Sequence, residues 1–274
     1  MILGLVSMQR NRGPWLVEWF AFHYMIGFRK FYYYAHLCDD NTSEIILKLQ
    51  KRLDISALVV STQENKVQLM AYQHACENHM DEVDWMCFID GDEFIFPTNA
   101  NTMQEALWPY NHLPISAIGV YNANFGSSHH LTEPDGLIVE NFRMRANLEG
   151  FLSHRRVKSI VKGRQKIGTS LCSNVFATPL GTVDEKMRPI TRGYIPDHVP
   201  SYDQFRFNHY PCQSREYYEK FKRFSGHADA NKDAERKESW WENFDTNDEF
   251  DTSMERFKEQ LHATIAELTA AMEA

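Results

Sequence analysis

Several common sequence features are missing from this chain of 274 residues, and each absence excludes a class of protein. The five cysteines form no Cys-x-x-Cys pair and are odd in number, which argues against a disulfide framework and against a zinc knuckle. No stretch approaches the roughly 20 apolar residues of a membrane-spanning helix. The net charge of -8 argues against broad binding to nucleic acid. We therefore expect a globular protein of a reducing compartment.

The N-terminus gives no sign of a targeting segment. Its opening stretch, "MILGLVSMQRNRGPW", has no basic region ahead of the short apolar run, so it predicts a buried first strand rather than a signal peptide. Together with the cysteine pattern, this favours a cytoplasmic protein, and peripheral contact with the inner face of the membrane is left open. A composition of 43% hydrophobic residues is sufficient for a sizeable core.

The first hundred residues alternate between apolar strands and helices. Strands are predicted at residues 2–7, 30–35, 55–60 and 85–89. The first helix is predicted to begin near Pro14, a favoured first helical position, and to end at Gly27, a favoured residue just past a helix end. Uninterrupted apolar strands that alternate with helices are typical of a parallel sheet covered on both faces. The sequence therefore predicts an α/β fold with a mainly parallel N-terminal sheet flanked by helices.

The alternation weakens after residue 97, where strands outnumber helices. The segments "ISAIGVY", "LIVENFRMR", "VKSIVKG" and "SNVFAT" predict strands of a mixed or antiparallel half. Two helices close the chain: one begins at Ser214, and the other follows a capping box of Thr252 and Glu255. The charged segment between them, which holds Trp240 and Trp241, predicts a mobile surface loop.

The segment "WMCFIDGDEFIF", residues 85–96, places three carboxylates in an otherwise hydrophobic run. Burying them is costly unless positive charge compensates them. Asp90 and Asp92 follow a predicted strand and point the same way in an extended chain, and Gly91 between them permits close approach. Both carboxylates can converge on one divalent cation, which would hold phosphate oxygens. The alternative is a turn in which the two carboxylates accept hydrogen bonds from backbone amides.

Four segments together resemble glycosyltransferase family 92 and related family 2-like enzymes of the GT-A fold. They are "VSMQRNRGPWLVEWFAFHYMIGFRKFYYYAHLCDDNTS", "FIDGDEFIF", "RRVKSIVKG" and "NHYPCQSREYYEKFKRFSG". The first is similar to the family pattern at Asn11, Leu16, Glu18, Trp19, His23, Gly27 and residues 31–34. The last is similar to it at His209, Tyr210, Ser214, Glu216, Lys220 and Gly226. One departure is Arg12, where the family often has an acidic residue.

The resemblance implies a GT-A fold, a Rossmann-like arrangement that binds a nucleotide-diphospho-sugar. It also implies transfer of a sugar from that donor, expected to be a UDP-sugar, to a glycan or lipid-linked saccharide. We expect a single domain over residues 1–274. Within it, residues 1–100 would form a donor-nucleotide half, residues 101–212 a β-rich acceptor half, and residues 213–274 the C-terminal helices.

The resemblance further implies that the Asp-x-Asp element binds a divalent metal, Mn²⁺ or Mg²⁺, on the donor diphosphate. Asp92 would be the main ligand, with Asp90 near the metal or the donor ribose. His209 would complete the metal site, since a neutral imidazole can bind Mn²⁺. The alternative for His209 is an ordinary histidine beside Tyr210. A bound cation would stabilise the charge that develops on the leaving nucleoside diphosphate.

Additional donor contacts are predicted where strands end and where a helix begins. Asn11, Asp40 and Gln68 are candidates to bind the base or the ribose. A basic cluster follows later in the chain and consists of Arg155, Arg156, Lys158, Lys162, Arg164 and Lys166. Lys158 is its candidate contact to the donor diphosphate. The alternative is that the whole cluster is a solvated strand face.

The segment "FGSSHHLTEPDG", residues 125–136, predicts a loop that could form the lip of an acceptor site. An inverting transfer needs a carboxylate base, and Glu133 or Asp135 could serve, with Asp92 also at the reaction centre. Glu18 and His23 lie on the first predicted helix, where maintenance of the fold is the favoured interpretation.

Two other functions remain open from the sequence. One is a sugar-phosphate nucleotidyltransferase, which would also use metal-bound carboxylates but usually opens with a Gly-rich loop after the first strand. The other is a non-catalytic carbohydrate-binding protein that stacks sugars on Trp108, Trp240 and Trp241. The second alternative gives Asp90 and Asp92 no role.

Overall fold

The structure of the protein is a computed structural model that describes residues 1–169, 172–226 and 234–274. Its strands are β1 Leu3–Gln9, β2 Lys30–His36, β3 Asp54–Val60, β4 Trp85–Phe88, β5 Glu93–Pro97, β6 Ala117–Asn124, β7 Met144–Arg145, β8 Val157–Lys162, β9 Gly168–Thr169, β10 Phe176–Ala177, β11 Thr182–Val183, β12 Pro189–Ile190, β13 Phe205–His209 and β14 Glu249–Phe250.

The α-helices of the same residues vary from one turn to sixteen residues. They are α1 Gly13–Met25, α2 Thr42–Leu49, α3 Val67–Asn78, α4 Met103–Leu107, α5 Ile138–Asn141, α6 Arg215–Tyr217, α7 Glu238–Phe244 and α8 Lys258–Glu273. A π-helical turn, Tyr218–Lys222, continues α6. Within the described ranges, no helix combines the length and the apolar composition needed to cross a membrane.

One large mixed sheet organises the molecule, with the strand order β12-β11-β6-β8-β4-β1-β2-β3. Strands β4, β1, β2 and β3 are parallel, as the alternation of strands and helices predicts. Strand β8 is antiparallel to both β4 and β6, so a strand from the second half of the chain lies in the middle of the sheet. Strand β13 pairs with β5 and β6 beside this sheet. The predicted α/β class and the mainly parallel N-terminal sheet are confirmed.

The central strands are largely buried because helices cover both faces of the sheet. All seven residues of β1 are buried. Leu3 and Leu5 pack in one cluster with α1, whereas Val6 and Met8 pack in a second cluster with α3. Alternate side chains of β1 therefore face two different helical layers. Helix α8 packs outside this arrangement, against α1 and α2.

The segment "LIVENFRMR" was predicted as a strand, and this prediction is wrong. It forms the short helix α5 and then only two residues of strand, β7. The Glu18 carboxylate explains the difference, since it accepts hydrogen bonds from the backbone N–H groups of Ile138 (2.8 Å) and Val139 (3.0 Å). These are donors at a helix start that have no partner within the helix.

Two predictions about the C-terminal region are also corrected. The capping box of Thr252 and Glu255 does not form: Glu255 begins a 3₁₀ turn ahead of α8, and its carboxylate pairs with Arg143. The segment predicted as a mobile loop contains α7, and Trp241 on this helix is buried. Residues 227–233 of that segment lie outside the described residues.

Candidate active site at the end of β4

The acidic segment forms a tight turn between β4 and β5, which we call the acidic turn (residues 90–93). Its backbone closes where Glu93 N–H donates to the Asp90 carbonyl oxygen at 3.2 Å. Gly91 lies against the end of β1, and a Cβ atom built there would lie 2.5 Å from Gln9 Cδ. A residue with a side chain at this position would therefore require the buried Gln9 side chain to move. The acidic turn lies at the carboxyl ends of parallel strands, where open α/β sheets bind ligands.

A cavity of about 390 Å³ opens beside the acidic turn. Its walls come from β1, α3, β8, β13 and the region around α6 and α7, so both halves of the chain contribute to it. The charged residues of its walls are Arg10, Arg12, Asp90, Asp92, Glu93, Arg156, Lys158, Lys222 and Arg236. Cations outnumber carboxylates two to one in this set. Such a cavity favours an anionic ligand.

Asp90 is held by side chains from β8 and α3. Lys158 Nζ lies 2.8 Å from Asp90 Oδ2, and Gln68 Nε2 donates to Asp90 Oδ1 at 2.6 Å. Burial would lower the pKa of Lys158, but the carboxylates of Asp90 and Glu93 outweigh it and raise this pKa well above its usual value. Lys158 is therefore a constant positive charge beside the acidic turn. Lys158 and Gln68, which the sequence predicts as donor contacts, thus bind Asp90 in this structure, and their contact with a donor stays a prediction.

Glu93 is the most deeply buried member of the acidic turn, with 3% of its side chain exposed. Its Oε2 atom accepts a hydrogen bond from Asp90 N–H at 2.8 Å and lies 3.3 Å from Lys158 Nζ. Burial raises the pKa of Glu93 to about 8, with Lys158 opposing the shift and the two aspartates adding to it. Glu93 is therefore harder to ionise than an exposed glutamate, and Lys158 is the positive charge that opposes this effect.

Asp92 lies between Lys222 and His209. Lys222 Nζ forms an ion pair with Asp92 Oδ2, and His209 Nε2 lies 3.7 Å from Asp92 Oδ1. Strand β13 brings His209 here because His209 is paired in register with Glu93 of β5. Burial opposes ionisation of Asp92, but Lys222 and His209 outweigh it and hold the pKa of this carboxyl below its usual range. The expected proximity of His209 and Asp92, residues 117 positions apart, is thus present.

Asp92 and His209 are a pair that could hold a divalent cation. Burial lowers the pKa of His209 to about 4, although Asp92 opposes the shift, so its imidazole is neutral at pH 7. In residues 1–169, 172–226 and 234–274, no group of three or more His, Cys, Asp and Glu side chains is arranged to hold a metal ion. A site with two protein ligands still fits, because Mg²⁺ and similar cations are often completed by substrate phosphates and water. Both carboxylate oxygens of Asp90 already have partners, Lys158 at Oδ2 and Gln68 at Oδ1. Lys222, in contrast, binds only Oδ2 of Asp92 and leaves Oδ1 facing His209.

Arg12, the departure from the family pattern, lines the cavity and is buried. Its guanidinium donates to the Gly91 carbonyl oxygen at 3.0 Å and to the Tyr217 hydroxyl at 2.8 Å. It also lies over the Trp15 ring, 4.4 Å from the ring centroid. Arg12 therefore connects the acidic turn to α6, and its positive charge helps to lower the pKa of Asp92.

Asn11 and Asp40 are not among the described residues that line the cavity. Asn11 exchanges hydrogen bonds with Asp39, since its amide donates to the Asp39 carboxylate and its Oδ1 accepts from Asp39 N–H at 2.9 Å. The Asp40 carboxylate accepts from the backbone N–H groups of Gly13 (2.9 Å) and Thr42 (3.0 Å). The Asp40 side chain therefore binds the starts of α1 and α2, the Asn11 side chain binds Asp39, and a contact of either with the donor stays a prediction.

Glu133 and Asp135 lie in a loop that packs against the start of α6. Glu133 accepts a hydrogen bond from the Ser214 hydroxyl, and its backbone N–H donates to the Glu216 carboxylate at 2.9 Å. Asp135 is exposed, and its carbonyl oxygen accepts from the Asn141 amide at 2.9 Å. Neither residue is among the described residues that line the cavity. Their role as a catalytic base therefore stays a prediction.

Lys222 and Arg236 are cavity residues that the sequence reasoning missed. The family pattern drew attention to Lys220, which pairs with Glu216 at the surface. Residues two apart on a helix point in nearly opposite directions, so an exposed Lys220 implies an inward Lys222. The spacing shows that one of the two lysines points inward, but not which one. No comparable signal exists for Arg236, which lies outside any periodic pattern.

The three tryptophans of the carbohydrate-binding alternative have three different environments. Trp241 is buried, Trp108 is exposed, and Trp240 lines the cavity. The Trp240 ring is stacked with Tyr218 and with Phe244, at centroid distances of 5.7 and 4.8 Å. One of the three is therefore part of the charged cavity rather than of a separate surface.

The chain resembles known proteins along most of its length. A family model described as glycosyltransferase family 92 matches residues 6–260. A glycosyltransferase family 92 protein of Oryza sativa subsp. japonica is 27% identical over 159 residues, which cover 57% of this chain and 26% of that protein. Another, of Arabidopsis thaliana, is 30% identical over 102 residues, which cover 35% of this chain and 17% of that protein. The chain thus spans about a quarter, or less, of the length of these curated relatives.

Among solved structures, residues 1–349 of S. aureus TarS are similar to this chain with a TM-score of 0.38 and 12% sequence identity. The match covers 59% of this chain and 47% of that chain.

Proposed function

The chain belongs to glycosyltransferase family 92, and on this basis we propose that it transfers a sugar from a nucleotide-sugar donor to a hydroxyl acceptor. The observation that carries the proposal is the charged cavity at the end of β4. There Asp92 and His209 lie beside the cations Lys158 and Lys222. Cations fixed in a partly buried cavity stabilise the negative charge that develops on a leaving diphosphate.

The proposed reaction replaces one bond to the sugar by another. The acceptor oxygen forms a bond to the anomeric carbon as the bond from that carbon to the diphosphate oxygen breaks. The acceptor proton passes to a base, for which Glu133 and Asp135 remain the predicted candidates. The nucleoside diphosphate leaves with the bonding electron pair, and the neighbouring cations lower the energy of that charge.

A divalent cation, Mn²⁺ or Mg²⁺, is part of the proposal, with Asp92 and His209 as its protein ligands. When bound, it would act as a Lewis acid on the donor diphosphate. Asp90 is assigned a different role, because Lys158 and Gln68 already bind its two carboxylate oxygens. Asp90 and Gln68 are instead proposed to face the ribose, at the end of the cavity where α3 begins.

UDP-sugars are the first donors to test, and a glycan or a lipid-linked saccharide is the proposed acceptor. Trp240 and Phe244 give one wall of the cavity an aromatic surface, which suits the apolar face of a sugar ring. The cytoplasmic location and peripheral contact with a membrane remain predictions from the sequence. The nucleotidyltransferase alternative is not favoured by the family match.

The test is to titrate UDP into the protein by calorimetry, with and without Mn²⁺, for wild type, Asp92→Asn and His209→Ala. We expect wild type to bind UDP more tightly with Mn²⁺, and each variant to lose at least about tenfold of that metal-dependent affinity, since a metal ligand is lost. Asp81→Asn is the matched control, because Asp81 is an exposed carboxylate in the turn Met80–Glu82.

A parallel screen of nucleotide-sugars for Mn²⁺-dependent hydrolysis identifies the donor. Metal-dependent UDP affinity that is the same in wild type and Asp92→Asn contradicts the metal assignment. Absence of binding by wild type to every nucleoside diphosphate and nucleotide-sugar contradicts the proposed function as a whole.

A further inference from the structure

We propose that Lys222 is a diphosphate-binding residue that exchanges partners, moving from Asp92 to the donor diphosphate when the donor binds. The inference rests on the proposed function and adds a specific residue to it. The Lys222 ammonium forms an ion pair with Asp92 Oδ2, and both side chains line the charged cavity. Only 15% of the Lys222 side chain and 8% of the Asp92 side chain are exposed.

The backbone directs Lys222 into the cavity and holds it there. Lys222 is the last residue of the π-helical turn, whereas Lys220 of the same turn points to solvent. The Lys222 carbonyl oxygen accepts hydrogen bonds from Arg236 Nη1 at 2.7 Å and from the Ser225 hydroxyl at 3.0 Å. These contacts fix the main chain. The four-carbon side chain of Lys222 is still able to reorient.

Stability alone is a weak explanation for this ion pair. Removing two charges from water costs free energy that their attraction often does not fully return, so apolar residues would often stabilise the same position equally well. At the wall of a cavity, in contrast, a lysine can bind any anion that enters. Arg12 also lies close enough to Asp92 to lower its pKa, so the Asp92 charge is compensated by more than Lys222.

A divalent cation and Lys222 compete for the same carboxylate. Lys222 occupies Asp92 Oδ2, so a cation that binds Asp92 repels the ammonium at close range. Lys222 then needs a new anionic partner. The donor diphosphate, in the same cavity, supplies one. Through this exchange the donor diphosphate gains one positive charge in addition to that of the metal ion.

This exchange predicts effects of opposite sign on two ligands. Replacing Lys222 with Ala removes a cation from the diphosphate, so UDP affinity should fall about ten- to a hundredfold, both with Mn²⁺ and in EDTA. The same change leaves Asp92 without its competing ammonium, so affinity for Mn²⁺ alone should rise. A residue that only maintains the site would move both affinities in the same direction.

The experiment uses calorimetry on the full chain with UDP and with MnCl₂ as separate probes. The variants are Lys222→Ala and the conservative Lys222→Arg, which should keep most of the UDP affinity. Lys220→Ala is the matched control, because Lys220 is two residues away and pairs with Glu216 at the surface. A thermal transition within a few degrees of wild type shows that each variant is folded.

Unchanged UDP affinity in Lys222→Ala overturns the inference, and so does a loss of both UDP and Mn²⁺ affinity. These outcomes leave the proposed function intact as long as wild type binds UDP. If wild type binds none of UDP, GDP and pyrophosphate, the proposed function itself fails, and the inference fails with it.

Discussion

At the scale of single residues, the aspartates of the acidic turn are compensated by residues distant in sequence. Lys158 compensates Asp90 across 68 positions, and Lys222 compensates Asp92 across 130. The acidic run in the sequence correctly indicates that positive charge must lie nearby. A metal ion is one source of such charge, but the structure shows that two lysines from other elements also provide it.

Glu18 is a buried carboxylate outside the cavity, and its burial predicts that the stability of the fold depends on pH. Burial raises its pKa from the ordinary value of 4.5 to about 7, although two backbone hydrogen bonds oppose the shift. The folded state therefore holds a proton that the unfolded state releases between these two values. As pH rises through this window, we expect Glu18 to lower the free energy of unfolding by about 3 kcal/mol at most.

Urea unfolding at pH 5 and pH 8 measures this effect in wild type and in Glu18→Gln. The variant loses one backbone hydrogen bond at both pH values but cannot ionise, so its stability should fall less between pH 5 and pH 8. Glu259→Gln, which changes an exposed glutamate of α8, should follow the wild type. Parallel pH profiles for wild type and Glu18→Gln would contradict the assignment.

At the scale of elements, short sequence patterns predict those strands and helices that depend on interactions between residues close in sequence. The apolar runs predict β1 to β4, and Pro14 and Gly27 predict the bounds of α1 within two residues. Helix α5 could not be predicted in this way, because Glu18, which binds its first N–H groups, is 120 residues away. The central position of β8 likewise depends on pairing that no local pattern specifies.

The residues of the candidate site likewise divide into those that sequence patterns predict and those whose position depends on tertiary contacts. Asp90, Asp92, Lys158, Gln68 and His209 are predicted from motif and position, and the structure brings all five to one cavity. The π-helical turn that directs inward the second of two lysines, rather than the first, depends on tertiary contacts. For that reason the sequence points to Lys220 and the structure to Lys222.

Gly27 gives a prediction for the connection between α1 and β2. Its φ angle of 118° is a conformation that residues with a side chain rarely adopt, and a Cβ atom there would lie 1.8 Å from Gln104 Oε1. We expect Gly27→Ala to lower the free energy of unfolding by about 1–3 kcal/mol, measured by urea denaturation.

The matched control for that change is Gly150→Ala. A Cβ atom at Gly150 would have its nearest neighbour at 3.9 Å, in ordinary van der Waals contact, and Gly150 is exposed. Stability should therefore change little. An equal loss in both variants would show that backbone conformation and contact at Gly27 are not the cause.

At the scale of the whole molecule, residues 1–100 and residues 101–212, the predicted donor and acceptor halves, are interlocked. Strand β8 lies between β4 of the first half and β6 of the second, and β13 pairs with β5. Helix α8, near the end of the chain, packs against α1 near its beginning. The two halves are therefore parts of one folding unit, and the cavity exists only where they meet.

This interlocking predicts that residues 1–100 do not fold when expressed alone. Strand β4 would lose its pairing with β8 and present an open edge, and α1 would lose its cover by α8. Asp90 would lack Lys158, and Asp92 would lack Lys222, so the acidic turn would keep buried carboxylates without these partners.

We expect residues 1–100 to give poor amide dispersion in the NMR spectrum and no cooperative thermal transition, whereas residues 1–274 should give a dispersed spectrum and a cooperative transition. Adding residues 101–274 in trans should restore part of the ordered signal. A dispersed spectrum with a sharp transition for residues 1–100 alone would show instead that these residues form an autonomous domain.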